Sequence, residues 1–173
     1  MKNLFLIAIM GLFNNCSKIY SDDKLTLAKR PYIGNQLKID GYYYTIYQIN
    51  KASVYVFFNN GVLLNAGDGY DLTVPNYIEN SLSSTSFINK LKGIKFSWGL
   101  FNVEGNNISL ERWYSSTGGP LKTYIDFGTI INDSTFQITN SMRSDGTEKR
   151  SENIIFKFKK FSPKPDSTNS FTP

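Results

Sequence analysis

From residue 37 to residue 161 apolar and polar side chains alternate with a period of two, and clusters of Asn, Asp, Gly and Ser interrupt the alternation. That period is what a half-buried strand presents, and the spacing of the breaks is that of hairpin turns, so the region predicts an all-β antiparallel meander. Eight strands are expected, over 37–48, 53–58, 61–66, 94–103, 107–114, 121–131, 135–143 and 152–161. Val54, Val56 and Phe58 alternate with Tyr55 and Phe57, and Asn60-Gly61 then leads into Val62-Leu63-Leu64. An Asn-Gly pair predicts a type I′ turn, which needs positive φ at both central residues. Later turns are expected at Glu104-Gly105-Asn106-Asn107, Asn132-Asp133-Ser134 and Ser144-Asp145-Gly146-Thr147. Gly41, Gly99 and Gly128 lie inside long strands, where a missing side chain marks a bend; three bent strands favour a closed barrel over a flat sandwich. In the last strand Ile154, Phe156 and Phe158 are expected to face in, with Lys157 and Lys159 facing out.

Two stretches depart from this period. Residues 75–92 carry Pro75 at one end, Gly93 just past the other, and the i,i+4 pairs Ile78/Leu82 and Phe87/Leu91, which predicts one short helix or two between strands 3 and 4. Its middle is rich in Ser, a poor helix former, so it must lean on the barrel, and its expected place is across a barrel mouth. Residues 163–173 have no apolar period and are expected to be a disordered tail.

Residues 1–16 give a basic start, an apolar stretch from Leu4 to Phe13, and Cys16. Ten apolar residues make about 15 Å of helix, roughly half a bilayer core, which suits a cleaved export signal rather than a spanning anchor. The segment resembles a bacterial lipoprotein signal, with 1–15 removed and Cys16 as the lipidated first residue of the mature chain. The resemblance implies acyl chains of the palmitate class on Cys16 and a lipid-anchored protein of the cell envelope, on the periplasmic or surface face of the outer membrane. Such chains give stable anchoring with no spanning helix. Residues 16–36 are then expected to be a tether and 37–162 the barrel domain.

Composition narrows the chemistry. Of 173 residues 15% are aromatic, the single Cys is Cys16, and there is no His. The chain therefore lacks the parts for the commonest zinc sites, for Ser-His-Asp or Cys-His catalysis and for an internal disulfide framework. No enzyme activity, cofactor or metal is expected. The net charge of +5 falls to +4 once Lys2 leaves with the signal. Lys157, Lys159 and Lys160 form the densest basic run, which reads as a solvated strand face, so no nucleic-acid partner is expected. Gly67-Asp68-Gly69 and Gly118-Gly119-Pro120 lack the following helix and Lys of a phosphate loop. Glu104 and Glu111 sit on one hairpin and could be near neighbours, but outward-facing, solvated carboxylates are the expectation.

Eight meandering strands behind an export signal resemble the small antiparallel barrels of the lipocalin and calycin group. Gly41-Tyr42-Tyr43 stands where that group carries Gly-x-Trp, and the helix between strands 3 and 4 stands elsewhere than the group's own helix. The whole resembles the lipocalin-like lipoproteins of bacteria, which implies ligand binding or envelope maintenance. Such a barrel is wide enough either to fill itself with side chains or to hold one small ligand. Tyr42, Tyr43, Tyr44, Tyr47, Tyr55, Trp98, Trp113 and Tyr114 are more amphipathic rings than a dry core needs. Arg112 shares a face with Ile108 and Leu110, so it points inward near a barrel end, where it can hold an anionic head or pair with Glu104 or Asp126. Tyr43, Tyr55, Trp98, Arg112 and Trp113 are therefore the candidate residues for a small apolar or amphipathic ligand. The alternative is a filled barrel that acts as a structural or adaptor lipoprotein through contacts with an envelope protein partner.

Overall fold

The computed structural model describes residues 21–115 and 117–172; the expected signal and Cys16 lie outside them. The strands are β1 (Gly41–Gln48), β2 (Lys51–Phe57), β3 (Val62–Asp71), β4 (Trp98–Glu104), β5 (Asn107–Tyr114), β6 (Lys122–Asn132), β7 (Thr135–Arg143) and β8 (Arg150–Lys160). Each pairs antiparallel with the next, and β1 closes on β8 through Gly41↔Lys160 to Tyr44↔Lys157, so the sheet is a closed barrel in sequence order. The three strand glycines permit that closure. A Cβ on Gly41, Gly99 or Gly128 would stand 2.1, 2.2 and 2.1 Å from a backbone oxygen of the neighbouring strand. Only a residue without one lets adjacent strands coil that closely.

The turn after β2 differs from the expected type I′. Gly61 has φ 80° and Asn60 is not among the positive-φ residues; Gly61 N–H donates to Phe58 O at 3.0 Å. This is a turn over 58–61 with one glycine in the left-handed region, one residue wider than a two-residue loop.

Between β3 and β4 run α1 (Tyr77–Ser83) and α2 (Thr85–Lys92), followed by a 3-10 turn (Lys95–Ser97). Ser84 is extended and its side chain accepts from Phe87 N–H, which ends one helix and caps the other. The helices do not cross a barrel mouth. Ile78, Leu82, Ile88 and Leu91 pack on the outer face of β1–β4, against Tyr42, Val54, Val56, Leu64 and Trp98. The reason is legible in β2, where Ala52, Val54 and Val56 on one face and Tyr55 and Phe57 on the other are all buried. A strand that is apolar on both faces needs cover on both.

The ends of the described chain also differ from expectation. Instead of a free tether, residues 22–31 form a strap down the outer wall. Asp23 N–H donates to Leu121 O, Asn102 Nδ2 to Ala28 O and Tyr32 N–H to Asn59 O. Buried Glu111 accepts from Thr26 N–H at 2.7 Å, Leu27 N–H at 2.6 Å and Ser144 Oγ at 2.5 Å. Residues 163–172 are likewise no loose tail. Lys164 Nζ donates to Ile39 O and Phe57 O, Lys92 pairs with Asp166 at 2.7 Å, and Phe171 joins the outer-wall cluster. Polar residues without an apolar period still order here because their side chains bond across to the barrel.

Candidate ligand-binding site

The barrel interior is divided along its axis. At the end formed by the turns 57–62, 104–107 and 132–135, Tyr43, Phe57, Phe101, Phe136, Phe156 and Phe158 fill it. Phe136 and Phe156 stack at 4.8 Å, Tyr55 stacks on Phe156 at 4.8 Å, and Tyr43 contacts Phe57, Phe136 and Phe158 at 5.2–5.3 Å. Tyr32 and Leu37, on the segment leading into β1, close this end from below; Leu37 N–H donates to Tyr32 Oη at 2.7 Å.

The other half is open. A cavity of about 890 Å³ lies above the aromatic plug, lined among others by Thr45, Tyr47, Tyr55, Arg112, Tyr114 and Asp126. That volume falls within the range of small-molecule sites. The β5–β6 register pairs Leu110 with Asp126 and Arg112 with Tyr124, which turns Arg112 and Asp126 to the same inner face. Ser141, opposite Asp126 on β7, joins them.

Arg112 forms the floor of this cup. Its guanidinium carbon is 3.8 Å from the ring centre of Tyr114 and 5.6 Å from that of Tyr55, a cation held between two π faces. Its Nε is buried and has no hydrogen-bond partner. None of the ion pairs among the described residues includes Arg112. Burial opposes its charge, but Tyr55, Tyr114 and Asp126 more than offset that, and its pKa lies above the ordinary value. Asp126 accepts from Ser141 Oγ at 2.6 Å and Tyr114 Oη at 3.2 Å. Burial raises its pKa above the ordinary carboxylate value, against the opposing pull of Ser141 and Arg112. Burial also raises the pKa of Tyr55 and Tyr114, so both stay neutral donors. The cup thus offers a permanent cation, a carboxylate that resists ionisation, and phenol hydroxyls around an apolar shelf of Ile138, Ile154 and Phe156. Those groups suit a small molecule with an anionic or strongly polar head and an apolar body.

Of the five sequence candidates, Tyr55 and Arg112 meet in the cup. Tyr43 faces the interior but is part of the plug. Trp98 is on the outer wall beneath α2, its Nε1 donating to Leu91 O at 2.9 Å. Trp113 is also outside, donating to Asp23 O at 2.7 Å and lining a separate cavity of about 610 Å³ between the strap and residues 170–172. Both tryptophans are used as outer-wall cover. Tyr114, which the sequence counts among the surplus rings but not among the five candidates, lines the cup as well, as do Ser141 and Thr45, which sequence reasoning passed over. The signal for Tyr114 was there, since it continues the Ile108, Leu110, Arg112 face. Glu104 and Glu111 do not converge: Glu104 is exposed and pairs with Arg30 at the plugged end, whereas Glu111 is buried under the strap. No group of three or more Cys, Asp and Glu that could hold a metal occurs among the described residues. Compared with protein-family models, with curated proteins and with solved structures, the chain matches none of them.

Proposed function

We propose that this chain is a lipid-anchored envelope lipoprotein whose barrel binds one small amphipathic molecule, its acidic or strongly polar head on Arg112 and its apolar body along Tyr55, Ile138 and Ile154. The observation that carries the binding reading is the cup itself, about 890 Å³ with an unpartnered buried Arg112 Nε at its floor. A buried donor left without a partner costs folding free energy, on the order of 1–3 kcal/mol, unless something else satisfies it. An anionic head group would do so. The anchor reading rests on the order of the first sixteen residues, a basic start, a short apolar stretch and then the single Cys of the chain.

Anilinonaphthalene sulfonate, a permanently anionic amphiphile that brightens on leaving water, tests the cup. The chain is expected to bind one equivalent, and Arg112→Gln to weaken that binding about tenfold or more, as losing a charge-assisted contact of ~1.5–3 kcal/mol implies. Equal binding by both chains would end this assignment. The second reading, a structural or adaptor lipoprotein, draws on the aromatic plug, which fills half of the interior. It expects no stoichiometric dye binding at all.

A further inference from the structure

Six of the ten large apolar side chains exposed among the described residues gather in one place, while Ile33, Phe96, Ile131 and Ile155 stand apart from them. Ile46, Tyr47 and Ile49 lie at and beside the β1–β2 turn, with Ile49 91% exposed, and Leu72, Val74 and Tyr77 lie on the adjoining β3–α1 connection. The two segments are tied together: Leu72 N–H donates to Asn50 O at 2.9 Å, and Lys51 pairs with Asp71 at 2.9 Å. They form one apolar lip on the rim of the open cup, whereas among the described residues the plugged end exposes only Ile33 and Ile131 of this kind. A contiguous exposed apolar surface on a folded domain marks an interaction site.

The path of the strap says what the lip meets. Asp22 and Asp23 sit at the cup end on the far side of the mouth, bonded to Leu121, Thr123 and Arg143. From there the chain descends to Tyr32 at the plugged end, a run of ten residues. Cys16 stands six residues before Asp22 in the sequence, and six residues reach at most about 20 Å. An anchor at Cys16 therefore holds the cup end near its membrane, and so short a reach cannot retrace the strap to set the plugged end there. Asp22 and Asp23 on one side and the lip on the other stand across the mouth, near β5–β7 and β1–β3 respectively.

We infer that the open end of the barrel docks on the lipid bilayer, the lip of Ile46, Tyr47, Ile49, Leu72, Val74 and Tyr77 entering the boundary between head groups and acyl chains so that the cup opens toward the membrane. Interfacial tyrosines and aliphatic side chains at the level of the head groups are what such docking uses. The inference rests on the proposed anchor at Cys16 for its orientation, while the lip stands on its own exposure. It also gives the ligand a source, because a mouth pressed to lipid exchanges amphiphiles with the bilayer rather than with bulk water.

The test uses the full chain on vesicles of phosphatidylethanolamine and phosphatidylglycerol with brominated acyl tails, which quench tryptophan on contact. In separate variants, Ile49→Trp adds a reporter to the lip and Ile131→Trp adds one to the plugged end, over the same background from Trp98 and Trp113. The added emission at position 49 should be strongly quenched, and that at position 131 left unchanged. The double variant Ile49→Asp/Val74→Asp, checked for unchanged thermal unfolding, should lose the contact of the lip with lipid. Intact mass reads the acylation of Cys16 independently. An acylated, vesicle-bound chain whose position 49 stays unquenched would assign the lip to a protein partner and overturn the docking alone. Quenching at position 131 would overturn it as well. A chain that is neither acylated nor bound to vesicles would overturn anchor and docking together.

Discussion

Arg112 and Asp126 face one another across the floor of the cup, and their joint behaviour sets how it responds to pH. Arg112 keeps its charge at any working pH. Asp126, with its pKa raised by burial, opposes an anionic head wherever it is ionised. As pH falls through that raised value Asp126 takes up a proton and leaves Arg112 unopposed. Affinity for a sulfonate probe, whose own charge does not change, should therefore rise on acidification, by roughly three- to tenfold for the removal of one nearby charge at intermediate dielectric. Asp126→Asn should bind more tightly wherever Asp126 of the wild-type chain is ionised and show no such rise, which fluorescence titrations across pH would read directly; Tyr55 and Tyr114 titrate too high to contribute. For the fold the sign is opposite to that of an ordinary paired carboxylate. A raised folded pKa gives stability that is fully present below the unfolded value of 3.8 and lost as pH climbs through the folded one. Asp126→Asn is thus expected to leave the neutral-pH melting temperature unchanged or higher.

Between residue and molecule lie the strap, the helices and the strand turns. Glu111 shows how an element without apolar period is held: one buried carboxylate takes two backbone N–H groups of the strap and hydroxyls from Thr26 and Ser144. Glu111→Ala leaves these donors unpartnered under a lost charge, and about 3 kcal/mol or more of destabilisation is expected in denaturant unfolding. Cleavage at Lys24 or Lys29 under limited proteolysis should appear early in that variant. The strands themselves were legible, β5 and β7 to the residue, because alternation and turn chemistry are local signals. Gly41, Gly99 and Gly128 announced the curl for the same reason, each standing where a neighbouring backbone leaves no room for a Cβ. What was not legible was long-range pairing. Glu111 reads as an outward, solvated carboxylate until the strap is laid over it, and Trp113 reads as a pocket ring until Asp23 O is found beside its Nε1. Asn60-Gly61 failed for a nearer reason, since only Gly61 takes the left-handed region and Arg30 O packs where its Cβ would be.

Taken whole, the molecule is an antiparallel barrel that is solid at one end and hollow at the other. The aromatic plug makes up the solid half. Phe136, with no exposed surface and rings on three sides, should be its most sensitive member. Phe136→Ala is expected to cost about 3–5 kcal/mol, read by chemical unfolding, while Arg112→Gln should cost the fold little or nothing. The barrel could be read from period two together with the three strand glycines, and the inward Arg112 from period two alone. The division of the interior could not, since Tyr43 and Tyr55 are cross-strand partners on one inner face and no local signal tells which ring belongs to the plug and which reaches the cup. Native mass spectrometry of the chain purified from cells that produce it, compared with Arg112→Gln, tests the central claim most directly. One acidic amphiphile per wild-type chain, absent from the variant, is the predicted result; a wild-type chain that carries no ligand, or a variant that keeps the same one at the same occupancy, would contradict it.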